Sequence, residues 1–249
     1  VSAAVTTIEV DAAEHRASVR LSTAQLAPRL ISRSSRAASV ALVAAGALLL
    51  PGDQVAIRIR VGAGCLLRLE DIGGTVAYGG RPERSRWVAD IELEEGAALV
   101  WAAKPLIVAD GAEVVRTTRA RIADSAALLI RETTVLGRSG ERGGTIRSRT
   151  MVDRGRHPLL AEGLHASGAA PQPGVLGAHS VFDAVVLAGI RPVVQTPGTM
   201  MLEGPGAVSR HLGSHTHESP LGALSHRWTD ELAAAWAARQ ENTYDPAHR

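Results

Sequence analysis

Three groups of side chains in this sequence have types and spacing that could support chemistry. The first lies in Ala127–Gly144, ALLIRETTVLGRSGERGG, where an apolar run encloses Glu132 and breaks into a loop of glycine, arginine and glutamate. The loop can be read as a phosphate cradle, half of an acid/base site, or a surface shaped for another protein. It lacks the lysine and hydroxyl order of a P-loop and opens no visible helix, which counts against phosphate. Arg138, Glu141 and Arg142 then stand as contact residues. An unpaired carboxylate amid Ile130, Val135 and Leu136 would be costly. Glu132 is therefore expected to face outward, to pair with an arginine, or to serve as an acid in a polar channel.

The second group is His211, His215 and His217, an H-x3-H-x-H pattern with His226 nearby. Neutral imidazole suits nickel or zinc, and three rings on a flexible loop could converge on one ion. Gly213 and Ser214 intervene, however, and no helix is evident to bring His211 and His215 onto one face. Exposed loop histidines without a metal are the competing reading.

The third group offers little. There is no G-x-S-x-G elbow, and Cys65 lies in a strand–turn pattern where it packs as a small apolar residue. Glu94-Glu95 falls at a turn, as solvated charge. A β-helical enzyme cleaving a sugar or polyanionic polymer would need an acid/base pair, and none can be nominated. The side chains describe a binding body rather than an active site.

The elements that must position these groups are strands. Val55, Ile57, Ile59 and Val61 share one face of 54–61, and Trp87, Ala89, Ile91 and Leu93 share one face of 87–93. A repeat follows: VGAGCLLRL (61–69), LEEGAALVW (93–101) and IADSAALLI (122–130) each place Gly or Ser three residues after an aliphatic start, then a small residue. Val108–Arg116 is a weaker copy. Each reads strand, tight turn, strand. The expected fold is mainly β, an irregular β-helix or stacked-sheet body in one domain spanning 1–249.

After Met151 the pattern loosens. Segments 163–180 and 195–222 read as loop, Val181–Leu187 as strand, and about 229–240 as a short helix. That helix is expected to be capped by Thr229, with Asp230 and Glu231 in its first turn. Trp228, Leu232 and Trp236 form a stripe expected to dock on the body, and the tail from Asn242 is expected to fray.

Composition narrows the classes further. A 249-residue chain can bury a sizeable core, and this one has few aromatics but 45% apolar residues, so Val, Leu, Ile and Ala must fill it. Lys104 is the only lysine; the basic side is arginine, suited to planar bidentate contacts. Net charge is only +2, although 131–156 holds seven arginines against Glu132, Glu141 and Asp153. That excess suits an acidic partner or forms an evenly solvated face; scarce aromatics argue against nucleic acid. One cysteine excludes a disulfide framework. The run Val40–Leu50 is too short to span a bilayer, so no membrane partner is expected and a cytoplasmic location is.

Four strings occur in order: GALLLPGD (46–53), GTVAY (74–78), WAAKPLI (101–107) and the stretch Ala127–Gly144. Their succession resembles the urease accessory protein UreD family, also called UreH, over about residues 40–150. Gly52-Asp53, Thr75 with Tyr78, Pro105-Leu106-Ile107, and Glu132 with Gly137-Arg138 and Gly140-Glu141 stand in the family's places. Leu50-Pro51 replaces a further glycine pair, and Ala103-Lys104 stands where an acidic residue commonly precedes the proline. The resemblance implies a largely β, non-enzymatic protein with a helix near its C-terminus. Such a protein would bind UreF, through it the GTPase UreG, and urease apoprotein. No cofactor would be tightly bound, and nickel would be in transit. Asp53, Thr75, Tyr78 and Glu132 join the loop residues as contact or channel candidates.

Overall fold

The structure, a computed structural model, describes residues 4–243. In chain order its first strands are β1 (Val5–Asp11), β2 (Ser18–Ser22), β3 (Leu26–Arg33), β4 (Ala37–Ala44), β5 (Gln54–Val61) and β6 (Leu66–Asp71). Next come β7 (Thr75–Ala77), β8 (Ser85–Leu93), β9 (Ala98–Ala102), β10 (Leu106–Val108), β11 (Glu113–Ile122) and β12 (Ala127–Leu136). The last are β13 (Thr145–Arg154), β14 (His157–Ser167), β15 (Val181–Ala188), β16 (Thr199–Met201) and β17 (Gly206–Gly213). A short 3-10 turn, Thr216–Glu218, leads into one long helix, α1 (Leu221–Thr243).

The strands form two facing sheets. The first runs β14-β13-β11-β8-β5-β1-β2 and the second β16-β17-β15-β12-β9-β6-β4-β3, with β7 and β10 joined beside β12. The chain passes from first sheet to second at β5–β6, β8–β9 and β11–β12. In the central coils each strand pairs in parallel with its equivalent one coil away. Antiparallel strands close the ends. The repeat in the sequence is this crossing.

At each crossing the same four-residue turn recurs. The N–H groups of Cys65, Ala97 and Ala126 donate to the carbonyls of Gly62, Glu94 and Ala123, at 3.1, 3.0 and 3.0 Å. Gly64 and Gly96 supply the positive φ, 65° and 66°, at the third position. In the third copy Ser125 stands there, and its hydroxyl accepts the Gly96 N–H from the coil below (2.7 Å). Cys65, Ala97 and Ala126 then stack in a corner with no exposed surface, which only small side chains fit. Burial pushes the Cys65 thiol up to about 11, consistent with packing rather than reactivity.

Alternation puts Ile57, Ile59, Ile91, Leu67, Leu69, Leu99 and Leu128 between the sheets. The outer face of the first sheet is charged, but in order. Along one register row Arg20, Glu9, Arg60, Glu92, Arg121 and Asp153 alternate in sign. Parallel stacking sets equivalent residues side by side, so alternation removes the like-charge neighbours that would destabilise the rows.

The second sheet is covered by α1, which buries Leu221, Leu224, Trp228 and Leu232 on Leu66, Val100, Leu129 and Leu187. The expected docking of this stripe is thus observed, but the expected start is not. Thr229 is no N-cap: the helix begins eight residues earlier, because Leu221, Leu224 and Trp228 carry the same stripe upstream. Glu231 does not face a helix terminus; it accepts the N–H groups of Val193 (2.8 Å) and Val194 (3.0 Å). The helix is also longer than 229–240 and runs through Asn242; residues 244–249 of the tail lie outside the described residues.

Two stretches read as loop are partly strand. Residues 163–167 finish β14, and 206–213 form β17 within 195–222. β17 has Ala207 under the helix and Val208 in the core, so both faces are apolar and the alternation that reveals strands is missing.

Since Trp228 has no exposed surface and donates to the Val194 carbonyl (2.8 Å), Trp228→Ala should cost about 3–5 kcal/mol in urea denaturation. A loss below about 1 kcal/mol would show that α1 is not integral to the fold.

Candidate functional site

At one end of the sandwich the apolar interior gives way to a polar seam. On β12 the inward residues Leu128 and Ile130 are followed by Glu132. On β11 the inward residues include Arg116 and Thr118, and on β13 Thr150. Arg116 Nη2 lies 2.9 Å from Glu132 Oε1. The hydroxyls of Thr118 (2.7 Å) and Thr150 (3.2 Å) donate to its two oxygens. Glu132 is therefore inward and paired, and the residue that neutralises it comes from the preceding strand of the same crossing, on the facing sheet. Arg116 is 5% exposed, so the pair is held out of bulk water.

Beside it lies a second interior carboxylate that the sequence patterns left unremarked. Asp71 ends β6 and accepts the indole N–H of Trp101 (3.1 Å) and the backbone N–H of Lys104 (3.0 Å). Burial pushes its carboxyl above the usual range, and those two bonds oppose the shift. Asp71, Thr75, Trp87, Lys104 and Arg116 line a cavity of about 10 Å³. Continuing the alternation Leu67, Leu69, Asp71 identifies this residue as inward. The acid absent at Ala103-Lys104 thus has a neighbour of the same charge reaching the Lys104 backbone from the adjacent coil.

The other candidates are spread along loops. Asp53 fastens a turn: its carboxylate accepts the Leu50 N–H (2.9 Å), and its own N–H donates to the Leu50 carbonyl (2.9 Å). The turn holds Leu49, fully buried, at φ 55°, a left-handed conformation that non-glycine residues rarely adopt. Tyr78 donates its N–H to the Leu49 carbonyl (3.1 Å) and is 40% exposed. In the glycine-rich loop, Glu141 accepts from the Arg138 backbone (2.9 Å), the Arg138 guanidinium and the Asp110 N–H (3.2 Å). Those bonds, the Arg138 side chain first, hold its carboxyl down at about 2. Arg142, one residue on, is exposed and makes no side-chain hydrogen bond or ion pair among the described residues.

The arginine-rich stretch is not one patch. Arg131 lies under α1, where it grips Asp183 with two bonds (3.1 and 2.8 Å). Asp183 has no exposed surface and also accepts from Thr133 (2.8 Å) and from Ser219 (2.6 Å) just before the helix, locking the helix start to the sheet. Arg147 and Arg149 sit instead on the outer face of the first sheet. Pattern does not single out Asp183, which interrupts an otherwise apolar strand.

His211 is on β17, opposite Asp183 in register, with its Nε2 buried and unpaired among the described residues. His215 and His217 stack on each other, centroids 5.3 Å apart. Glu218 accepts the Ser214 and His215 N–H groups (3.2 and 3.1 Å), which draw its carboxyl below the ordinary range. Among the described residues no group of three or more His, Cys, Asp or Glu side chains is arranged to hold a metal ion. No described helix is long and apolar enough to cross a membrane.

Residues 4–239 match the family model described as UreD urease accessory protein. The chain belongs to the UreD family. It is similar to urease accessory protein UreD 1 of Streptomyces griseus, 39% identical over 91% of each chain. The urease accessory protein UreD of Streptomyces avermitilis is 32% identical, covering 84% of this chain and 86% of its own. That of Streptomyces coelicolor is 32% identical over 74% of each. UreD membership accords with the ordered strings from 46 to 144 and extends well beyond the 40–150 that carried the resemblance.

Two measurements test this geometry. Removing Glu132 strands Arg116, so Glu132→Leu should cost about 3–5 kcal/mol while Arg116→Met with Glu132→Leu recovers most of it; equal losses would contradict the pair. For Glu141 the lowered pKa means its contribution is present above 4.5 and lost as pH falls through about 2. A carbon-detected titration of its carboxyl should show a midpoint near 2; one near 4.5 would mean the Arg138–Glu141 staple is not formed in solution.

Proposed function

We propose that this chain is a non-enzymatic scaffold of urease maturation. It would dock on urease apoprotein together with UreF and, through UreF, the GTPase UreG, and assist nickel to the urease active site. The observation that carries the reading is the family match from residue 4 to 239, supported by relatives of nearly the same length.

The interior chemistry supports a non-catalytic role. Glu132 is neutralised by Arg116 and bonded by two threonines, so it is not a free acid awaiting a substrate. A Glu132–Asp71 pair flanking a scissile bond is equally poorly served, since Arg116 stands among them. Cys65 is buried and its thiol is pushed up, the reverse of what a nucleophile needs. Nickel is cargo here, and cargo calls for weak, spaced oxygen and nitrogen donors rather than a closed cage. Asp53, Thr75, Tyr78, Glu132, Arg138, Glu141 and Arg142 are the contact or channel residues of this reading, and His211, with its buried Nε2, and the exposed His215 and His217 are its candidate nitrogen donors. On this reading the work is carried out in the cytoplasm.

The expected outcome of co-expressing urease subunits and the other accessory proteins without this chain is urease with little nickel and little activity. Adding the chain should restore both, read as metal per active site by mass spectrometry. Full loading in its absence would overturn the proposal.

A further inference from the structure

We propose that a pocket beside the Gly137–Gly144 loop captures the C-terminal carboxylate of a partner protein whose last residue is aliphatic. The inference rests on the scaffold reading and adds to it a site and a ligand chemistry.

The pocket has a volume of about 210 Å³ and lies between Arg142, the end of β14 and the 168–180 loop. Its floor is apolar: Leu136, Ala166 and Leu176 are each buried. Its polar rim includes Arg142 and His179, and none of the residues lining it is an acid. Arg138 and Arg142 carry the same charge four residues apart but differ in availability. Arg138 is occupied by Glu141, whereas the Arg142 guanidinium has no acceptor among the described residues.

The backbone beneath Arg142 is fixed at the edge of the pocket. Gly143 (φ 92°) donates its N–H to Asp110 (2.6 Å), and a Cβ on Gly143 would meet Gly137 N at 2.5 Å. A Cβ on Gly144 would lie 2.1 Å from the Ala112 carbonyl oxygen, and one on Gly168 would lie 1.8 Å from that of Arg142. Glycine is required where these chains touch. The backbone of such a site loses little freedom on binding.

Size and chemistry then select the occupant. The volume is below the range of about 300–1,000 Å³ usual for drug-sized ligands, so one residue fits and a cofactor does not. An apolar floor beside an unpaired guanidinium, with no acid in the lining, suits an aliphatic group and a carboxylate held close together. A C-terminal Leu, Ile or Val carries both on one carbon atom, and capture of a chain end by its carboxylate is an established recognition mode. The guanidinium can take that carboxylate with two parallel hydrogen bonds.

The test uses the full chain and a fluorescein-labelled Gly-Ser-Gly-Ser-Val-Leu peptide, as free acid and as C-terminal amide, read by anisotropy. The free acid should bind saturably and the amide about tenfold or more weaker. Arg142→Glu should abolish binding and Arg142→Lys should retain part of it. Ala178→Trp, an exposed change at the pocket, should block it without unfolding the chain. Equal binding of acid and amide, unchanged binding by Arg142→Glu, or no saturation by about 1 mM would overturn the proposal. So would displacement of the peptide by inorganic phosphate as effectively as by N-acetyl-leucine, which would mark a general anion site. Peptide binding is measured without urease, so this result fails or holds independently of nickel loading.

Discussion

Parallel stacking of coils forces the chain to turn the same corner at the same place in each layer, and most of this molecule follows from that constraint. The corner must be small, because layers are one strand spacing apart; Cys65, Ala97 and Ala126 satisfy it and stack without exposed surface. It must also bend tightly, which Gly64 and Gly96 allow by positive φ. Once the corners are in register, inward residues of successive coils align as rows. A single polar position in one coil is then placed beside its equivalents in the next. Aligned rows make an isolated buried carboxylate avoidable: Arg116 and Thr118 on β11 and Thr150 on β13 meet Glu132 on β12 across the sandwich.

The same alignment explains the opposite treatment of the two outer faces. On the first sheet, rows of unlike charge let parallel strands face water without repulsion between neighbours. On the second, rows of small and aliphatic residues, among them Ala98, Leu129 and Leu187, make a surface that water does not cover, and α1 covers it. Asp183 fixes where that helix starts by joining Arg131, Thr133 and Ser219. The helix is thus tied to the strand that supplies Glu132: Arg131 and Thr133 point outward to the clamp while Glu132 between them points inward. One short stretch of β12 links the cover to the interior seam.

Much of this was legible in the sequence. The turn repeat revealed the crossings because Gly or Ser followed by a small residue is a steric requirement of the corner, and period-two alternation revealed the strands with one wet or charged face. Where both faces are buried the signal vanishes, as in β17. The helix start is not legible because Thr229-Asp230-Glu231 has the chemistry of a cap, whereas Glu231 serves the Val193 and Val194 N–H groups. Within the candidate site, Glu132 is visible as a carboxylate in apolar company, but its partner is not, since Arg116 precedes it by sixteen residues and only the crossing from one sheet to the other brings them face to face. The arginine run misled in the other direction: sequence neighbours from 131 to 156 point to the helix, a loop and the outer sheet face. The three histidines are close in sequence, and the structure places His211 on β17 and His217 in the 3-10 turn that follows it.

Physical association is the most direct test of the proposal that this UreD-family chain works by assembling others. Purified chain, UreF and urease apoprotein should co-elute as a single species whose mass by light scattering is that of a complex. The same mixture lacking this chain should contain no species joining UreF to urease. Separate elution of all three at micromolar concentrations and physiological salt would contradict the account.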